Sequence, residues 1–222
     1  MAATKHFHRE LEKIKKMILS IGAAVEDRVH LIGKAIESVD DKPAEKIIHD
    51  DHEIDEMEVE VEEECLKVLA LHQPVAADLR FIIAVIKINN DLERIGDQAV
   101  NIAQRIKIMA KQDHHDFVFD YSPMVEKVEF MLKRSLDALV NMDIDLALKV
   151  CQLDDEVDDI KNEAYDQIKK AMKRSSDCLG YLINLLLISR HLERLADHTT
   201  NIAEEVIYMI EGEIVRHGKN LP

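Results

Sequence analysis

The side chains in this chain best placed to do chemistry are carboxylates spaced four residues apart, each run closed by an asparagine. Glu93, Asp97 and Asn101 form one run, within Asn90–Ala103 (NDLERIGDQAVNIA); Glu193, Asp197 and Asn201 form another, within Arg190–Ala203 (RHLERLADHTTNIA). The two stretches share Leu-Glu-Arg, the Asp, the Asn and a closing Ile-Ala, all at an offset of 100 residues. So many matches at one offset mark a duplication. Residues four apart on an α-helix differ by only ~40° around the axis, so each run is one polar stripe. Anionic oxygens held side by side repel one another unless a cation or water intervenes. The chemistry to expect is therefore capture of a hard cation by oxygen ligands.

A second pair of acidic runs accompanies the first. Asp51–Asp55 (DHEID) corresponds to Asp154–Asp158 (DDEVD) at an offset of 103. If the helices carrying them neighbour those carrying Glu93 and Glu193, the acidic stripes meet on the outside of a bundle. Each half then gathers a ligand set: Asp51, Asp55, Glu93, Asp97 and Asn101 in the first, and Asp154, Asp158, Glu193, Asp197 and Asn201 in the second. The spacing does not select the metal. The competing reading is a solvated acidic face, common in so charged a chain, with Arg94 and Arg194 neutralising part of it. His52 and His198 stand beside ligand positions in one copy only and read as solvent-facing. His49, His114 and His115 are at most adventitious ligands.

The elements that must position these stripes are long helices. The chain has 222 residues, 47% of them hydrophobic and 4% aromatic, with no Trp, 6 Gly and 4 Pro. Few chain breakers and few β-formers favour helix. Leu11, Ile14, Ile18, Ile21, Val25, Val29 and Ile32 recur at helical spacing, predicting a first helix over His6–Ser38. Asp40–Pro43 stops it and starts a second, Pro43–Leu71, with Ile47, Ile54, Val61, Cys65 and Val68 buried. His72-Gln73-Pro74 ends that helix, and a third spans Val75–Lys111.

Gln112–Tyr121 reads as a linker, Ser122-Pro123 as cap and first residue of a fourth helix to Asn141, and Asn141-Met142-Asp143 as a turn. The fifth helix spans Asp143–Lys173. Ser175-Ser176-Asp177 caps a sixth, to Glu211, which Gly212 stops. The expected fold is all-α, two tandem, sequence-related three-helix bundles: residues 1–112 and 122–212, a linker at 113–121 and a polar tail at 213–222.

The formal charge of −15 disfavours direct binding to nucleic acid or anionic lipid. Met1–Met17 lacks an apolar signal core, and no run approaches the ~20 apolar residues needed to cross a bilayer. Cys65, Cys151 and Cys178 are scattered and read as reduced thiols of a cytoplasmic protein. No Glu-x-x-His, Gly-rich phosphate loop or Gly-x-Ser-x-Gly elbow occurs, so the sequence offers no catalytic centre and the chain does not read as an enzyme.

Pro74–Arg80 (PVAADLR), Lys87–Asp97 (KINNDLERIGD), Asn101–Ala103, His191–Asp197 (HLERLAD) and Asn201–Tyr208 (NIAEEVIY) together resemble the PhoU family of bacterial phosphate-signalling regulators. The resemblance spans nearly the whole chain, duplication included. It implies two related three-helix bundles with multinuclear metal sites on the bundle surface, held by Asp51, Asp55, Glu93 and Asp97 with Asn101 adjoining and by Asp154, Asp158, Glu193 and Asp197 with Asn201 adjoining; iron, Mg, Mn and Zn all remain open as the ion. It also implies an adaptor between the phosphate ABC transporter, through its ATPase, and the sensor histidine kinase of the phosphate response. Such an adaptor restrains uptake and holds the kinase in its repressing state when phosphate is plentiful, and meets the membrane only through protein partners; separately, the exposed faces of long helices make a homodimer the expected assembly. His191 stands where Asp91 does and Ala196 where Gly96 does, so the halves are not strictly symmetric.

Overall fold

Apolar residues at 3.6-residue spacing become buried stripes only when the rods carrying them lie side by side. The computed structural model, which describes residues 2–39, 41–112, 117–174 and 178–214, shows that outcome. The helices are α1 (Ala2–Ser38), α2 (Asp41–His49), α3 (Asp51–His72), α4 (Ala76–Met109), α5 (Ser122–Asn141), α6 (Ile144–Arg174) and α7 (Leu179–Glu211). They form six rods, the second of them broken into α2 and α3. Two three-helix units result, and no strand occurs among the described residues. The expected stripes of α1 and of α2–α3 are buried throughout, from Leu11 to Ile32 and from Ile47 to Val68.

The break in the second rod departs from the single helix expected there. Asp50 sits between α2 and α3 at φ −88°, ψ 12°. The guanidinium of Arg28, itself buried, donates one hydrogen bond to the Asp50 carbonyl and another, of 2.9 Å, to Asp51 Oδ1. The Asp50 carbonyl, held by this cation, accepts the Glu53 N–H at 3.2 Å instead of continuing the regular four-residue ladder, and the rod is interrupted there.

Other boundaries follow local chemistry. Gln73 (φ 44°) and Met142 (φ 53°) adopt the left-handed conformation that closes α3 and α5, and Gly212 (φ 79°) closes α7. Asp143 Oδ1 accepts from Leu146 N–H at 3.0 Å and so caps α6. At the start of α5 the cap differs from expectation. Asp120, not Ser122, supplies the acceptor, taking the Ser122 N–H at 2.9 Å. The expected caps at Asp40 and Ser175–Asp177, the pair His114 and His115, and the tail beyond 214 lie outside the described residues.

The two units meet along α4 and α7, the most extensive helix pairing in the molecule. The helices run antiparallel: His198 Nδ1 lies 2.8 Å from Asp91 Oδ1, and His191 Nδ1 lies 2.8 Å from Gln98 Oε1. Each pair is the other displaced by the repeat offset, so an approximate twofold axis passes between α4 and α7. Lys87 extends the seam, donating to Glu205 at 2.8 and 3.0 Å. His198, expected to face solvent, is instead largely buried in this seam, because the polar side of α7 is where the other unit docks.

Candidate functional site

Burial of the apolar stripes of α3 and α4 leaves their acidic flanks adjacent. Asn89 on α4 fixes the register by donating to the Glu58 carbonyl of α3 at 2.8 Å. Asp51, Asp55 and Glu58 of α3 then stand within electrostatic reach of Glu93 and Asp97 of α4. Burial, aided by Asp55 and Asp97, pushes the Asp51 carboxyl up against the pull of Arg28. Burial likewise raises Glu93, with Asp97, Asp55 and Glu58 adding to it. Arg94 Nε and Nη1 reach Glu93 and Asp97 only at 3.6 Å, and Glu93 Oε2 is buried with no hydrogen-bond partner. An orphaned anionic oxygen costs free energy unless a donor or a cation reaches it.

The second half repeats the arrangement with Asp154 and Asp158 of α6 facing Glu193 and Asp197 of α7. Burial, then the charges of Asp197 and Asp158, lifts the Asp154 carboxyl to about 6. Asp197 is raised as well, by burial and by Glu193 and Asp158. Here, however, an internal cation is in place. Lys161 Nζ donates to Asp158 Oδ1 at 2.8 Å and to Glu193 Oε1 at 3.1 Å. Asp154, Arg194, Asp197 and Asn201 line a cleft of about 700 Å³ beside it.

Four carboxylates per half thus gather on adjacent helices, whereas the asparagines do not join them in the same way. Asn201 Nδ2 donates to Asp91 Oδ1 of the other unit at 3.1 Å. Asn101 is half-buried and makes no hydrogen bond to its stripe among the described residues. As the side chains stand, no three His, Cys, Asp or Glu groups among the described residues converge on a single ion. The all-oxygen donor set and the orphaned Glu93 oxygen suit a hard divalent cation, which side-chain rotation would have to bring into common coordination.

Sequence reasoning passed over Glu58, Lys161, Arg28 and Asp91. The first two were within reach: the 103-residue offset that pairs Asp51 with Asp154 also pairs Glu58 with Lys161. Arg28 and Asp91 carried no such signal, since their partners are set by tertiary packing. Burial pushes the thiols of Cys65 and Cys151 up to about 12, which disfavours the reactive thiolate at neutral pH.

Similarity to known proteins accords with this architecture. The PhoU domain model matches residues 18–106 and again 122–206. The phosphate-specific transport system accessory protein PhoU homolog of Clostridium acetobutylicum is 38% identical over 95% of this chain and 97% of its own length. The homolog of Pseudomonas aeruginosa is 35% identical over 96% of this chain and 89% of its own. The crystal structure of PhoU from Pseudomonas aeruginosa superposes with a TM-score of 0.90, covering 93% of this chain and all of that one. The phosphate transport system regulatory protein PhoU from Streptococcus pneumoniae, 29% identical, gives 0.84 over 95% of this chain and all of that one. A helical-bundle accessory protein of phosphate transport is the kind of molecule described by these relatives, and no helix among the described residues is long and apolar enough to cross a membrane. With two matching domains and full-length relatives above 30% identity, the chain belongs to the PhoU family.

Proposed function

We propose that this chain is a metal-binding regulatory adaptor of phosphate homeostasis, acting in the cytoplasm to restrain phosphate uptake and the phosphate-response two-component system. The observation that carries the metal part is the pairing of acidic stripes on adjacent helices, with Glu93 Oε2 buried without a hydrogen bond and met only by Arg94 at 3.6 Å. Asp55, Glu93 and Asp97, with Glu58 and with Asp51 where Arg28 releases it, would hold an ion in the first half. Asp154, Asp158, Glu193 and Asp197 are their counterparts in the second. Such an ion would supply positive charge that ties two helices together, making the bundle surface stiffer when loaded.

The adaptor part is supported by relatives named as accessory proteins of the phosphate-specific transport system. The partners we propose for it are the transporter ATPase and the sensor histidine kinase. The surface suits protein contacts better than nucleic acid or lipid, because its net charge is −15. Exposed Val59 and Leu66 on α3 and Phe130 and Val140 on α5 leave apolar area for a second copy of the chain or another protein.

The test is a deletion strain grown in ample phosphate. Uptake and phosphate-response transcription should rise, and tagged wild-type chain should restore both while co-purifying the ATPase or the kinase. Unchanged uptake, or complementation without either partner, contradicts the adaptor role. A second reading, a structural interaction module whose acidic faces are merely solvated, is favoured by the lack of a converged ligand set. It predicts that neutralising Asp55, Glu93 and Asp97 leaves partner binding intact.

A further inference from the structure

The two carboxylate sites differ at one decisive position. In the register that aligns Asp51 with Asp154 and Asp55 with Asp158, the next inward-facing position is Glu58 in the first half and Lys161 in the second. A carboxylate in one half is an ammonium in the other, a difference of two charges, while the first half's own bonded cation, Arg28, sits on Asp51. The ammonium is engaged, bridging Asp158 and Glu193 across α6 and α7 at 2.8 and 3.1 Å. A divalent ion would need the same oxygen lone pairs, at ~2.0–2.6 Å. Ammonium and metal cannot occupy them together.

In the first half the corresponding oxygens are free of such a bridge. Asp55 and Glu58 make no hydrogen bond or ion pair with a cation among the described residues. Arg28 is committed to Asp51 and the Asp50 carbonyl. Arg94 pairs with Glu93 Oε2 and Asp97 Oδ2 only at 3.6 Å, with half its side chain in solvent.

We infer that Lys161 is a built-in counter-cation that holds Asp158 and Glu193 against metal, so that the chain binds divalent ions more tightly through its first half than through its second. This rests on the metal-binding reading above and refines it. The α6–α7 pair is then held by Lys161 where the α3–α4 face changes with ion occupancy.

The full chain, stripped with chelator and dialysed, is titrated with Mn²⁺ by calorimetry, with bound metal counted by elemental analysis. Glu93→Gln should weaken Mn²⁺ binding at least tenfold, whereas Glu193→Gln should leave affinity and stoichiometry within about twofold of wild type. Lys161→Gln should add binding that Glu193→Gln then removes. Equal loss of metal in Glu93→Gln and Glu193→Gln overturns the inference while leaving the metal reading in place. No increase in stoichiometry in a folded Lys161→Gln also overturns it. A wild-type chain that binds no Mn²⁺ overturns both. If Lys161→Gln does not fold, the two single glutamate variants, compared by circular dichroism and titration, decide the matter.

Discussion

Replacing Asp154 by Asn should make the metal-free protein more stable at neutral pH. The carboxyl has a folded pKa of about 6 against an ordinary value of 3.8, raised by burial and then by Asp197 and Asp158. A group whose folded pKa is raised in this way is penalised only when ionised. The penalty is absent below the unfolded value near 4, grows as the pH rises through the folded value, and is complete near pH 7. Two pKa units correspond to ~3 kcal/mol, and water in the adjoining cleft reduces this to ~1–3 kcal/mol.

Asn keeps the shape and removes the charge. Urea unfolding followed by far-ultraviolet circular dichroism, with chelator present, should show the variant ahead by that amount at pH 7 and level with wild type at pH 4. The comparison must be between proteins at each pH, because His191 works in the opposite sense. Burial, with Arg105, Arg194 and Arg190, lowers His191 to about 4, so it withdraws stability as the pH falls from 6.5. An Asp154→Asn protein no more stable than wild type at pH 7, or one ahead by a constant margin at every pH, would refute the reasoning.

Arg28→Met should cost ~2–4 kcal/mol in urea unfolding, because the Asp50 carbonyl and Asp51 both lose their buried partner. Gly33→Ala should lower the melting temperature, since a Cβ there would lie 2.7 Å from Val125 Cγ1 between α1 and α5; overpacking of this kind costs ~1–3 kcal/mol. Gly180→Ala should instead raise it slightly, because its nearest neighbour is Gln112 Nε2 at 3.5 Å and Ala is the better helix former by ~1 kcal/mol. Tyr121→Phe should cost ~1 kcal/mol in urea unfolding, the loss of the buried hydroxyl's 2.6 Å hydrogen bond to the Leu185 carbonyl.

What could be read from the sequence was whatever repeats locally. The stripe from Leu11 to Ile32 obeys helical period, so burial of α1 followed from spacing alone. Gln73, Met142 and Gly212 sit at positions where breakers or turn residues end the pattern. The duplicated Glu-x-x-x-Asp and Asp-x-x-x-Asp runs together supply four carboxylates per half, and the helices that carry them lie side by side. The bend at Asp50 was hidden because it depends on Arg28, more than twenty residues away and on another helix. His198 was misjudged for a related reason. Its neighbours in sequence are polar, but its environment is set by Asp91 of the other unit, and nothing local announces that α4 and α7 pack antiparallel. Asn201 turns toward the same Asp91 instead of its own stripe.

The central claim, that the α3–α4 carboxylates form a cation site, is tested most directly by diffraction from crystals of the full chain soaked in Mn²⁺, with data collected for anomalous signal. The account predicts a strong anomalous peak bounded by Asp55, Glu58, Glu93 and Asp97, with Glu93 Oε2 among the ligands, and none between Asp158 and Glu193. An anomalous map with no peak at the first cluster, in crystals where those carboxylates are accessible to solvent, would contradict it.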